Sequence, residues 1–278
     1  MLQVLSDWVY RLPQGIHNFL SRRWYENMSR LDRDADMIFM NYGWVDLNPA
    51  APSLSLRPED EANRYSIQLY HRVASAVPLA GADVLEVGSG RGGGASYIMR
   101  YLGPRNLVGL DLTPQSIAFC QQHHSLPGLR FVQGKAEALD FPPETFDAVI
   151  NIESSHCYAP LSAFLEGVHR VLKPGGHFLF ADHRDAAQIA GLRQSLTKAG
   201  LLILEEENIS ANVVRALELD NARKQTLINQ KVPKLLRHFF NEFAGMQGTH
   251  SLYATLRKGE KVYMRFVLTK RVAGLHDK

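Results

Sequence analysis

Cysteine is scarce in this chain, with two residues, Cys120 and Cys157, among 278. That excludes a disulfide framework and every multi-cysteine zinc module, and it suits a reducing cytoplasm. Long hydrophobic runs are missing too: nothing approaches the ~18 consecutive apolar residues of a membrane span. The opening MLQVLSDWVYRL lacks the basic start of a secretory signal, and Gln3, Ser6 and Asp7 break its apolar character. Leu2, Leu5, Val9 and Leu12 recur at helical spacing, which predicts an amphipathic helix packed on the domain body or lying peripherally on a membrane. Internal repeats and low-complexity tracts are absent. No metal is expected, because His123, His124, His169, His177 and His183 form neither H-E-x-x-H nor a Cys/His pair at zinc spacing. His123 and His124 are expected to follow a helix end and face solvent.

Net charge is only +3, yet it is unevenly spread. Residues 211–278 hold 13 Lys/Arg against 5 Asp/Glu, a net +8, and the rest of the chain carries −5. Such a stretch is a solvated helix face, or it meets an anionic lipid surface or an acidic carrier protein. Its basic residues are not interleaved with aromatics, so nucleic acid is not an expected partner.

What is present is an ordinary globular composition, 45% apolar and 21% charged. The length fits one large domain with appendages. Short apolar runs at 83–88, 106–111, 146–151, 177–182 and 201–209 alternate with amphipathic segments. One of these, 161–172, places Leu161, Phe164, Leu165, Val168, Val171 and Leu172 on one face and stops at Lys173-Pro174-Gly175-Gly176. Alternating β and α at these lengths predicts an α/β fold, a mostly parallel sheet with helices on both faces. Residues 211–247 break the alternation as two helices around Pro233, then a loop and a last strand at 261–270. The expected division is an N-terminal helical appendage and flap (1–60), a Rossmann-like core (61–210), a helical substrate lid (211–250) and a final strand completing the sheet (251–278). Val213, Leu217, Leu227, Leu235, Phe239 and Phe240 are candidates to line an acceptor cavity in that lid, or are core.

Chemistry concentrates at Val84-Leu85-Glu86-Val87-Gly88-Ser89-Gly90-Arg91-Gly92-Gly93-Gly94, where a buried strand enters a glycine-rich turn and then a helix starting near Ala95. Glycines 88, 90 and 92 let the backbone pass close beneath a nucleotide-like ligand, and the helix start offers N–H groups to a carboxylate or phosphate. Gly88, Gly90 and Gly93 also satisfy the dinucleotide pattern. Glu86 would repel a pyrophosphate but welcome an ammonium group, and Asp111 closes the second strand where ribose hydroxyls are read. The pair favours S-adenosyl-L-methionine over NAD. Ser89, Leu112 and Asn151 join the expected cofactor set.

The pieces LEVGSGRGGGASY, VGLDLTPQSIAFC, LPGLRFVQG, INIESSHCY and HRVLKPGGHFLFAD stand in order, with LYHRV (69–73) before and FAGMQGT (243–249) after. Over roughly residues 37–270 they resemble the mycobacterial phthiotriol/phenolphthiotriol dimycocerosates methyltransferases. GSG and KPGG are generic to class I methyltransferases; GGGASY, ESSHCY and FAGMQGT are narrower. The resemblance implies a seven-stranded class I fold with the last strand antiparallel, and O-methylation of a secondary or phenolic hydroxyl on a lipid or polyketide. It also implies a flap around Met40-Asn41-Tyr42-Gly43-Trp44 over the methionine end of the cofactor, and adds Tyr42, Ala136 and Glu137 to the expected cofactor set. Lys135 departs from it, standing where an Asp usually holds the adenine amino group.

His156 follows the fourth strand, at the carboxyl end of the sheet where ligands of open α/β folds bind, and its ordinary pKa suits base work. Asp182 closes the next strand and is placed to orient it. Cys157 adjoins His156, but sequence neighbours seldom point at one another, so a Cys–His nucleophile is not expected. The alternatives are N- or C-methylation, a cofactor-bound cyclase, or a non-catalytic partner-binding relative with a decayed site.

Overall fold

The computed structural model describes residues 37–234, 237–247, 249 and 252–271. The expected helix over residues 2–12 lies outside them, as do Leu235 and the side chain of Phe239. Seven strands form one sheet: β1 (Asp83–Val87), β2 (Asn106–Asp111), β3 (Leu129–Gln133), β4 (Phe146–Ile152), β5 (Leu172–Asp185), β6 (Leu201–Asn208) and β7 (Lys261–Lys270). Their order is β3-β2-β1-β4-β5-β7-β6. Neighbours from β3 to β5 pair in parallel, and β7 runs antiparallel to both β5 and β6.

Helices cover both faces because successive strand residues point to opposite sides. Val84, Leu107 and Ile150 pack with α1 (Arg64–Ala74), α2 (Gly93–Leu102) and α3 (Pro114–His123). Leu85, Val108 and Val149 pack with α4 (Leu161–Val171) and α5 (Ile189–Lys198) on the other face. The long helix α6 (Ser210–Lys231), α7 (Arg237–Phe243) and α8 (Leu252–Lys258) intervene between β6 and β7. Val213 and Leu217 of α6 join the first face's core.

Three details differ from expectation. β3 was not among the apolar runs: only Phe131 of LRFVQ is buried, as befits an edge strand. Residues after 247 were expected as a loop, yet α8 forms there with Leu252, Tyr253 and Leu256 buried. β5 begins at Leu172, so the 161–172 helix ends one residue early and Lys173–Gly176 belongs to the strand. Among the described residues no helix is long and apolar enough to cross a membrane.

Candidate active site

The strand order reverses around β1, which pairs with β2 on one side and β4 on the other. A crevice opens at the carboxyl ends of such strands. There the structure has a cavity of about 440 Å³, within the ~300–1,000 Å³ of small-molecule and cofactor sites. Gly88, Ser89, Gly90, Asp111, Leu112, Ala136 and Glu137 of the expected set line it together. Gly90, at φ +52°, turns its missing Cβ toward open space, with only the Met40 sulfur 3.5 Å away. Asp111 accepts the Gly90 N–H at 2.9 Å and the Thr113 N–H and hydroxyl at 2.9 and 2.7 Å, and burial pushes its pKa up.

The remaining expected contacts lie behind the wall. Gly92 faces the protein: a Cβ there would meet His124, Cys120 and Phe131 within 3 Å. Asn151 ties β4 to β1 through Val87 O at 2.8 Å. Glu86 is 1% exposed and accepts the Tyr70 hydroxyl at 2.7 Å and the Ala95 N–H; burial raises its pKa to about 7. Tyr70 is what reaches the cavity, its ring fitted against Gly94 so closely that a Cβ would overlap it. The helix-start amides expected to be free are engaged, Gly93 N–H with Ile38 O at 3.3 Å and Ala95 N–H with Glu86. Lys135 is exposed and absent from the wall, so its charge does not oppose a ligand there. His124 is also unlike expectation: it is half-buried, with Nε2 2.7 Å from Arg91 O.

Residues 37–45 cross the cavity mouth. Ile38, Phe39, Met40 and Asn41 line it, and the Tyr42 N–H donates to both Glu153 carboxylate oxygens at 2.9 and 3.2 Å. Tyr42 itself lines a second cavity with Leu227 and Phe240, and Trp44 packs on the core instead.

Parallel pairing sets Ile152 opposite Ala181, so the chain leaving β4 runs beside Asp182. His156 Nδ1 lies 2.8 Å from Asp182 Oδ1, on a carboxylate whose side chain is fully buried. Asp182 Oδ2 accepts the Ser155 hydroxyl at 2.7 Å and the His156 N–H at 2.9 Å, with Arg184 3.0 Å away. Burial alone would lower the His156 pKa, but the Asp182 carboxylate outweighs it and pushes it up to about 10. Burial would raise Asp182; His156 and Arg184 hold it well below the carboxylate range. His183 stacks on His156 at 4.4 Å, and burial with that neighbouring charge keeps it neutral. The neighbouring Cys157 side chain acts in the same direction as Asp182, raising the His156 pKa. His156, Asp182 and His183 bring three possible metal-ligand atoms within 4.8 Å of one another. Both Asp182 oxygens are already committed to donors, which leaves a cation poorly served.

Glu153 was overlooked in the sequence. It lines the first cavity at φ +51°, a strained backbone for a non-glycine residue. It accepts the Tyr263 hydroxyl at 2.8 Å, and burial raises its pKa to about 7. Nothing in its residue type marks it; only its place in ESSHCY does.

The buried groups at the switch point suit an adenosyl ligand. In the wall, Ser89 Oγ is buried without a hydrogen-bond partner among the described residues and Gly90 leaves room beside it; behind the wall, Glu86 Oε2 and Asn151 Oδ1 are likewise unpartnered. Residues 85–180 match the family model described as a methyltransferase domain. Fold and match together define an S-adenosyl-L-methionine-dependent methyltransferase. The chain is 42% identical over 249 residues to the phthiotriol/phenolphthiotriol dimycocerosates methyltransferase of Mycobacterium tuberculosis (strain ATCC 25618 / H37Rv), covering 90% of this chain and 91% of that one. It belongs to that family. The fatty-acid O-methyltransferase of Mycolicibacterium smegmatis (strain ATCC 700084 / mc(2)155) is 40% identical over 246 residues, 88% of each chain. Among solved structures, the geranyl diphosphate C-methyltransferase from Streptomyces coelicolor A3(2), in complex with Mg2+, geranyl diphosphate and S-adenosyl-L-homocysteine, shares the fold. Its TM-score is 0.63 at 17% identity, over 94% of this chain and 98% of that one.

Proposed function

We propose that the protein methylates a hydroxyl on a hydrophobic lipid or polyketide acceptor, with His156 as the base that takes the hydroxyl proton. The observation that carries this is the 2.8 Å contact of His156 Nδ1 with the buried Asp182 carboxylate. With Nδ1 held there, proton exchange falls to Nε2, and Asp182 stabilises the imidazolium formed. S-adenosyl-L-methionine supplies an electrophilic methyl group when bound. Gly88, Ser89, Gly90, Asp111, Leu112, Ala136 and Glu137 would hold it, with Glu86 acting from behind through Tyr70. Ile38, Phe39 and Met40 present an apolar edge to an acceptor and exclude water from the mouth. The lipid class is supported by the names of the relatives and by that apolar edge.

A second base has an observation of its own. His156 lines neither of the two cavities, whereas Glu153 does, and its pKa near 7 suits proton transfer at neutrality. An acidic carrier protein presenting the acceptor would complement the net +8 of residues 211–278.

The test is incubation of purified protein with S-adenosyl-L-methionine and a series of long-chain acceptors, read by mass spectrometry. A product heavier by one methylene is expected. Conversion without mass gain would mean cyclisation, and failure to bind S-adenosyl-L-homocysteine would sink the cofactor site.

A further inference from the structure

Three aromatic side chains line the first cavity: Phe39, Tyr70 of α1 and Tyr158. Phe39 and Tyr70 meet edge to face, their ring centres 5.8 Å apart. A ligand there meets rings more than hydroxyls, because both phenols are already committed. Tyr70 donates to Glu86 Oε1 at 2.7 Å, and Tyr158 donates to Ser154 Oγ at 2.9 Å. Burial raises both phenol pKa values, so both rings stay neutral. The missing side chain of Gly94 is what lets the Tyr70 ring lie in the wall.

The charges around these rings lean negative. Among the described residues the wall holds one base, Arg91, and three acids, Asp111, Glu137 and Glu153, with Glu86 behind Tyr70. Arg91 lays its guanidinium over the Phe119 ring at 3.6 Å. Glu153 faces Lys224 of α6 and His156, and Glu137 accepts the Ala159 N–H at 3.1 Å. The groups that meet Glu86 and Asp111 are neutral donors. They are the Tyr70 hydroxyl and Ala95 N–H for Glu86, and the N–H groups of Gly90, Leu112 and Thr113 with the Thr113 hydroxyl for Asp111. Asp111 also acts on Glu86 as a like charge, a repulsion that a cation in the cavity would relieve. Electron-rich rings beside buried acids form a setting that attracts a compact organic cation.

We propose that Tyr70, backed by Glu86, distinguishes the cationic sulfonium of S-adenosyl-L-methionine from the neutral thioether of S-adenosyl-L-homocysteine, its ring serving as the cation–π partner. The inference rests on the methyltransferase assignment and is independent of the acceptor and of the base. The two ligands differ by one methyl group and one positive charge. Transfer breaks the sulfur–methyl bond and leaves its electron pair on sulfur, so the charge that Tyr70 attracts is gone once the product forms. The same ring that favours entry of the cofactor thereby favours release of what remains of it.

The experiment is calorimetric titration of the full chain with S-adenosyl-L-methionine and, separately, with S-adenosyl-L-homocysteine. The quantity read is the ratio of the two affinities, in which any loss of folded protein cancels. Tyr70→Leu and Tyr70→Met, which remove the ring, should each shift that ratio about 3- to 30-fold against S-adenosyl-L-methionine, the range from an exposed to a desolvated cation–π contact. Tyr70→Phe keeps the ring without the hydroxyl and should hold the ratio within about twofold of wild type. A ratio unmoved by loss of the ring overturns the proposal. A ratio that falls as far in Tyr70→Phe as in Tyr70→Leu overturns it too, and gives the discrimination to the hydroxyl and Glu86. A wild type that binds neither ligand sinks the cofactor site itself, a failure distinct from an unmoved ratio.

Discussion

The two candidate bases differ most in where they titrate, so the pH dependence of turnover separates them. His156, with its pKa pushed up to about 10, is a cation at neutrality and must lose its proton before it can accept one. About one molecule in a thousand is then competent at pH 7, and kcat should climb with unit slope toward pH 10, roughly a thousandfold in all. Glu153, at about 7, is half ionised at neutrality; as the base it would give a rise of only about twofold above pH 7 and then a plateau. Asp182→Asn sharpens the comparison, since Asp182 is the group that raises the His156 value against the lowering effect of burial. Its loss should carry the alkaline limb down to or below the ordinary 6.5 and reduce the plateau about 10²–10⁴-fold. The assay is single-turnover methyl transfer, followed by mass spectrometry across pH 6–10 at saturating acceptor. A profile flat across this range, with His156→Ala turning over like wild type, refutes the His156 assignment. A limb near 7 that vanishes in Glu153→Gln moves the role to Glu153.

Other consequences follow from single contacts. Gly88→Ala places a Cβ 2.4 Å from the Ser154 hydroxyl at φ +78°, so it should lose stability and cofactor affinity together. Gly90→Ala meets nothing closer than 3.5 Å, so only the backbone cost of ~1–2 kcal/mol and a narrower cavity remain, separable by thermal unfolding and calorimetry. Lys135→Asp should leave S-adenosyl-L-homocysteine affinity within about twofold, because the side chain is exposed and off the wall. Asp60, 5% exposed, binds Arg100 at 2.5 and 2.8 Å and the Tyr101 hydroxyl at 2.6 Å; Asp60→Asn should cost about 3 kcal/mol in urea unfolding. Burial opposes but does not cancel the lowering of its pKa by Arg100, so this stability is present above the ordinary 3.8 and lost as pH falls through the lower folded value. If an acidic carrier presents the acceptor, turnover of the loaded carrier should fall steeply with added salt, and a salt-independent rate removes the carrier.

What could be read from the chain follows the physics of each element. Central strands such as Asp83–Val87 and Phe146–Ile152 are buried on both faces and so are written mostly in apolar letters, interrupted at Glu86, Asp147 and Asn151. Leu129–Gln133 sits at the edge with one buried residue, and so wrote almost nothing. The glycine-rich turn was legible because positive φ at Gly88, Gly90 and Gly92 restricts residue choice. Which glycine faces open space was not, since that depends on partners as distant in sequence as Met40, Ser154 and His124. Glu86 shows the same limit: its place before the glycines was plain, but Tyr70, arriving from α1, stands between it and the cavity. His156 and Asp182 could be paired in advance because parallel pairing of β4 and β5 sets the chain leaving β4 beside Asp182, which lies within β5. Glu153 and Lys224 had no such rule. Their burial is a property of how residues 37–45 and α6 pack over the sheet. Burial rather than residue type sets their titration: it raises the Glu153 pKa to about 7 and lowers that of Lys224.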